Sequence, residues 1–144
     1  MFIWTQNEHG DPSVMVYAEA AAAIKRGDLV APHATNKDTI EVADASDATY
    51  LGVAVADCAA GALCGFMLAN DNVFIANTNA SKYTDASHRY TYCDASFTSG
   101  SMGVTPGTNT STANEIYLIG LADGQPDDTA GNTVLCMINK RLPA

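Results

Sequence analysis

Short apolar runs recur along the chain, each bounded by Gly, Pro, Asn or Asp: "VMVY" at 14–17, "DLVAP" at 28–32, "TIEV" at 39–42, "LGVAVA" at 51–56, "LCGFML" at 63–68, "VFIA" at 73–76, "RYTYC" at 89–93, "IYLIGLA" at 116–122 and "TVLCMI" at 133–138. Runs of this length, rich in β-branched and aromatic residues and separated by turn formers, read as strands. So many strands with so little helical signal predict an all-β fold, a single antiparallel β-barrel or sandwich spanning 1–144. Ala69-Asn70-Asp71-Asn72 between two runs suits a tight hairpin, because Asn and Asp tolerate left-handed backbone. The one helical candidate is "YAEAAAAIK", 17–25, whose four consecutive alanines favour helix. It has no cap and stops at Gly27, so two helical turns at most, or an extended edge segment, are the alternatives. The polar stretches 77–88 and 98–114 bury little by composition and read as exposed loops.

Two longer segments share a pattern. "YLGVAVADCAAGALCGFML" (50–68) and "YLIGLADGQPDDTAGNTVLCMIN" (117–139) both begin Tyr-Leu, reach Ala-Asp, break at Ala-Gly and resume toward a Cys. Each follows a strand and a polar excursion. The pattern suggests two pseudo-repeated halves closing on each other through their apolar faces. Gly52 is placed at a close backbone approach and Gly61 at the hairpin turn.

Length and composition narrow the picture. With 144 residues and 47% hydrophobic content, one domain can bury a core without a disulfide framework. Cys58, Cys64, Cys93 and Cys136 all lie in or beside apolar runs and are expected as reduced, buried thiols. Sixteen acids against seven bases give a net charge of −9, which repels phosphate backbones and argues against nucleic-acid binding. No run is long enough to cross a membrane, and "MFIWTQNEHG" has no signal-peptide pattern, so synthesis and folding in a cytosol are expected.

The order "AIKRGDLV", a variable polar segment, "YLGVAVADCAAGALCGFML" and "VFIA" resembles the small β-barrel decoration (cement) proteins on the capsids of tailed bacteriophages. The likeness rests on Ile24, Gly27, Asp28, Val30, Gly52, Val53, Ala54, Ala60, Gly61, Val73 and Phe74. It covers roughly 24–76, with a weaker echo in 88–138. The resemblance implies a non-enzymatic virion protein that binds the outer capsid surface, with the major capsid protein as partner and a homo-oligomer, a trimer for preference.

Candidate chemistry is sparse. Arg26-Gly27-Asp28 spells an adhesion tripeptide, which a Gly-Asp turn explains without adhesion. His9, His33 and His88 have no ligand spacing, and the cysteines fail that of structural zinc sites. Asp123, Asp127 and Asp128 lack the offsets of a calcium loop. No catalytic residues, metal ligands or cofactor are expected. What stands out is the aromatic start: Phe2, Ile3 and Trp4, the single tryptophan, open a segment that then turns polar. Two readings stay open, a first strand packed into the core, or an arm (1–13) docking on a shell protein or a sister subunit. With Lys25 and Arg26, the densest basic spot, these three are the partner-binding candidates. The rival function is a small β-barrel ligand- or carbohydrate-binding module of a phage tail or fibre, marked by a pocket with clustered aromatics.

Overall fold

The computed structural model describes residues 1–7, 15–70, 72–110 and 114–140. Its N-terminal half contains a closed five-stranded barrel. The strands are β2 (Met15–Ala20), β3 (Leu29–Pro32), β4 (Thr39–Val42), β5 (Gly52–Ala54) and β6 (Leu63–Leu68), in the order β2-β4-β3-β5-β6. So small a barrel closes only around small side chains. Ala20, Val30, Ala54 and Cys64 supply them, with Ile24, Ile40 and Phe66 filling the remainder. Every pairing is antiparallel except β2 with β4, which run parallel at Glu19 and Ala20.

A six-stranded antiparallel sheet packs beside the barrel. It is built from β1 (Phe2–Asn7), β7 (Asn72–Asn77), β9 (Tyr92–Ser96), β10 (Gly103–Thr105), β11 (Ile116–Leu121) and β13 (Thr133–Ile138), in the order β1-β7-β13-β11-β9-β10. A short ribbon of β8 (Lys82–Tyr83) and β12 (Thr129–Ala130) and one helical turn, α1 (Asp85–His88), flank it. Period-2 alternation on β11 and β13 aims Ile116, Leu118, Val134, Cys136 and Ile138 at the barrel, where Leu29, Tyr50 and Val53 meet them. Strands β3 and β5 therefore serve two cores: Val30 and Ala54 face into the barrel while Leu29 and Val53 face the sheet.

The all-β expectation holds, and "TIEV", "LCGFML" and "TVLCMI" coincide with β4, β6 and β13. Gly61 has φ +78 in its turn, and a Cβ on Gly52 would lie 1.9 Å from the Met67 carbonyl oxygen. Several other expectations are corrected. Of the two readings of the alanine run the helical one fails and the extended one holds for 17–20, within the closed barrel and not at an edge: Ala20 N–H donates to Ala62 O at 2.9 Å and Ala21 N–H to Ile40 O at 2.8 Å, so cross-strand bonds replace helical ones. Strands β6 and β7 do not pair as the expected hairpin at 69–72, because β6 belongs to the barrel and β7 to the sheet. The stretch 98–114 is not simply an exposed loop, since among its described residues Met102 and, in β10, Val104 are completely buried. In 77–88, Thr78 and Tyr83 are likewise buried.

Cys58 and Cys64 are not free thiols. They form a disulfide, their Cα atoms 5.6 Å apart across the β5–β6 hairpin, because the antiparallel bridge between Ile24 and Cys58 holds Cys58 against the barrel wall from which Cys64 projects. Cys93 and Cys136 are buried thiols, as expected. The two pseudo-repeated segments share a hairpin with a left-handed glycine, Gly61 and Gly131, but one closes into a barrel and the other joins an open sheet. Tyr50 is buried between them, whereas Tyr117 points outward.

Candidate functional site

The buried ionisable groups fasten the barrel to the sheet. Tyr50 Oη donates to Glu115 Oε1 at 2.8 Å, Ala95 N–H donates to Glu115 Oε2 at 3.0 Å, and Lys140 Nζ lies 3.5 Å from Oε1. Burial first, and the Glu115 carboxylate second, hold the Tyr50 phenol protonated far above its ordinary range. Asp28 is also buried. It accepts from Lys25 N–H (3.0 Å), Ser99 Oγ (2.5 Å) and Gly100 N–H (2.7 Å). With its carboxylate committed inward, Arg26-Gly27-Asp28 is a structural turn. These groups are all partnered within the fold.

Exposed side chains give a different picture. Phe2 N–H donates to Gly27 O at 3.1 Å, which draws the start of β1 against the barrel. Between them lies a cleft of about 170 Å³ lined by Phe2, Ile3 and Trp4 on one side and Val53, Ala54, Val55 and Met67 on the other, with Arg26 also in its wall. Phe2 is its buried floor, whereas Ile3, Trp4 and Val55 are 42%, 37% and 37% exposed. Trp4 Nε1–H donates to Asn72 Oδ1 at 2.9 Å, which fixes the indole. Beyond Val55 the apolar surface continues over the barrel, because Tyr17 and Val55 both pack over the bare backbone of Gly65. Tyr17 and Leu63 are 55% and 70% exposed.

The five partner-binding candidates are thus divided. Phe2, Ile3, Trp4 and Arg26 gather at one cleft, although Phe2 is core and no contact surface of its own. Lys25 does not line it: its ammonium lies 3.7 Å from Asp57 Oδ2, and the same carboxylate accepts Arg26 N–H at 2.8 Å. The Arg26 guanidinium makes no ion pair among the described residues. Residues 2–7 are a strand of the sheet, so the arm reading fails for them; 8–14 lie outside the described residues. Sequence reasoning missed the cleft's opposite wall, since nothing in "LGVAVA" indicates that Val55 faces solvent beside Trp4.

No group of metal-ligating side chains occurs among the described residues. His33 pairs with Glu41 at 3.8 Å, and His88 Nδ1 accepts Thr84 N–H at 3.0 Å; His9 lies outside the described residues. Asp127 accepts the backbone N–H groups of Asp85 and Asp128, and Asp128 lies 3.7 Å from Lys82, so the Asp-rich segment is an ordered turn. Comparison with protein-family models and with curated proteins found no match for the chain. Fold and site together define an all-β protein with an apolar, arginine-containing cleft between barrel and sheet.

Proposed function

We propose that the chain is a non-enzymatic structural protein of the capsid-decoration kind, which binds the outer surface of an assembled phage shell and stabilises it. One observation carries the reading: Ile3, Trp4, Val55 and Met67 form one partly exposed apolar surface around an arginine that makes no ion pair among the described residues. Trp, Met and Arg are the residues enriched at protein interfaces, and contiguous apolar exposure on a soluble chain marks an interaction site. The partner is the major capsid protein, with the chain itself assembling as a homo-oligomer, a trimer for preference. A disulfide suits a protein whose working life is spent on a virion outside the reducing cytosol.

The mechanism is mass action. A ligand that binds only the assembled shell stabilises it by about 2.7 kcal/mol per site when free ligand is at a hundred times its dissociation constant. An oligomer that engages neighbouring shell subunits together adds avidity.

Co-sedimentation with purified particles tests the reading. Val55→Lys and Ile3→Lys place charge on exposed positions of the docking surface, so both variants should melt like the wild type and sediment with shells at least tenfold more weakly. Wild-type sedimentation by both would rule out this surface, and failure of the wild type to sediment would rule out the function.

A further inference from the structure

The sheet face turned away from the barrel carries a second feature, independent of shell binding. Register aligns Met137 of β13, Tyr117 of β11 and Tyr92 of β9 in one row across three interior strands. The Tyr92 and Tyr117 rings lie 5.2 Å apart, inclined at 53°. With Asn139 they line a depression of about 230 Å³. We infer that Tyr92, Tyr117, Met137 and Asn139 form a binding site for a neutral saccharide, one pyranose ring at a time.

The chemistry selects that ligand class. A pyranose has an apolar C–H face and a rim of hydroxyls, which match a phenol face and nearby polar groups respectively. The Tyr92 and Tyr117 hydroxyls make no hydrogen bond among the described residues. Asn139 Nδ2 donates to Asn114 O at 2.8 Å, which orients the amide and leaves Oδ1 as an acceptor. None of the four lining residues is charged, and Arg89 beside Tyr90 is paired with Asp85 at 3.8 Å, so on a chain of net charge −9 the site offers no unpaired cation to a phosphate or an acidic glycan. An extended peptide is the weaker fit. Tyr117 pairs with Met137 and Tyr92, and Met137 with Tyr117 and Val73, so at the centre of the row the backbone is taken by the ladder and offers no edge for strand addition.

Backbone strain beside the depression points the same way. Tyr90 has φ +61, and the other non-glycine residues with positive φ among those described are Asn or Asp, which tolerate it. It follows the C-cap of α1, a position where glycine is the usual residue. Its ring is 62% exposed, so burial in the core does not offset the strain. Tyr90 N–H donates to Leu118 O at 2.8 Å, which anchors it beside Tyr117 and two residues from Tyr92. Arg89 covers one ring face at 5.2 Å and is itself held by Ile119 O at 3.0 Å. Strain at an exposed aromatic is a functional signal, and its place two residues from Tyr92 assigns Tyr90 to the same ligand, outside the lining of the depression itself.

Single-ring affinity at so shallow a site is of millimolar order, so the experiment uses multivalent display. Full-length protein tetramerised on streptavidin is applied to an array of neutral and acidic oligosaccharides, with a proline-rich peptide as a further ligand. Binding to one or more neutral glycans is expected, falling at least tenfold in Tyr92→Ala and in Tyr117→Ala. Tyr92→Ala should melt within a few degrees of the wild type, because Tyr92 is 38% exposed. Tyr90→Gly should melt higher and bind more weakly, a combination that a purely structural tyrosine does not give. Absence of neutral-glycan binding, binding confined to acidic glycans or to the peptide, or wild-type binding by Tyr92→Ala would each overturn the site. Wild-type binding by Tyr90→Gly would overturn the part given to Tyr90.

Discussion

Tyr50 Oη donates to Glu115 Oε1 at 2.8 Å across the junction of barrel and sheet, with both side chains buried. The Lys140 ammonium completes the contact, lying 3.5 Å from the carboxylate and 4.9 Å from the centre of the Tyr50 ring. The three groups satisfy one another in a region where an unpaired charge is expensive.

Removing Glu115 therefore differs from removing the tyrosine hydroxyl. Tyr50→Phe leaves the carboxylate with Lys140 and Ala95 and should cost about 1–2 kcal/mol. Glu115→Ala takes the buried carboxylate from the Tyr50 hydroxyl, the Ala95 N–H and the Lys140 ammonium together and should cost about 3–5 kcal/mol. Denaturant melts of the two variants check the order; equal losses would mean that the ion pair adds nothing to the hydroxyl contact.

The cysteines make a prediction that can be counted. In native protein Cys93 and Cys136 should resist alkylation, since burial lifts the Cys93 thiol to about 12 and the Cys136 thiol also. In denaturant without reductant two thiols should react, and after reduction all four. Closing so short a loop is worth about 2 kcal/mol in the chain-entropy account, so reductant should lower the melting temperature by several degrees. Four reactive thiols in non-reducing denaturant would remove the disulfide.

Alkaline pH should weaken the fold. Cys93, Cys136, Tyr50 and Tyr83 all have folded pKa values raised first by burial, the tyrosines also by neighbouring carboxylates. A raised value means the stabilisation is fully present below the unfolded pKa, 9.0 for the thiols and 10.0 for the phenols, and is lost as pH rises beyond it. Stability measured by urea titration should decline from about pH 9 upward. A flat profile to pH 11 would contradict the burial of these groups.

Two glycines of one hairpin should respond unequally. Gly61 needs positive φ but has open space around it, so Gly61→Ala should cost about 1 kcal/mol. At Gly52 a methyl group would meet the Met67 backbone and push β5 from β6, so Gly52→Ala should cost about 3 kcal/mol or more. Melting temperatures of the pair provide the comparison, and a Gly52→Ala variant as stable as Gly61→Ala would refute the close approach.

The strands were legible because their apolar runs are bounded by turn residues. The division into barrel and sheet was not: "LCGFML" and "VFIA" are adjacent in sequence and equally apolar, and only long-range pairing sends one to β2 and the other to β1 and β13. The core role of Met102 and Val104 was hidden because each is a lone apolar residue among Ser, Gly and Thr, too short a signal for periodicity. At the cleft, the apolar start and Arg26 could be noticed in the sequence. Val55 and Met67 opposite them could not, since solvent-facing and core-facing residues look alike in apolar runs such as "LGVAVA" and "LCGFML". The aromatic row across β9, β11 and β13 depends on register, which residue type does not encode.

The pairing of Phe2 with Ala76 in β1 and β7 also sets an order of events during synthesis. Every strand of the barrel lies within residues 15–68, so that unit has all its hydrogen-bonding partners as soon as they leave the ribosome. Strand β1 emerges first yet finds its neighbour only after residue 77. Until then β1 has only the barrel wall at Gly27 and Val53 to pack against, which makes its pairing into the sheet a late step in folding.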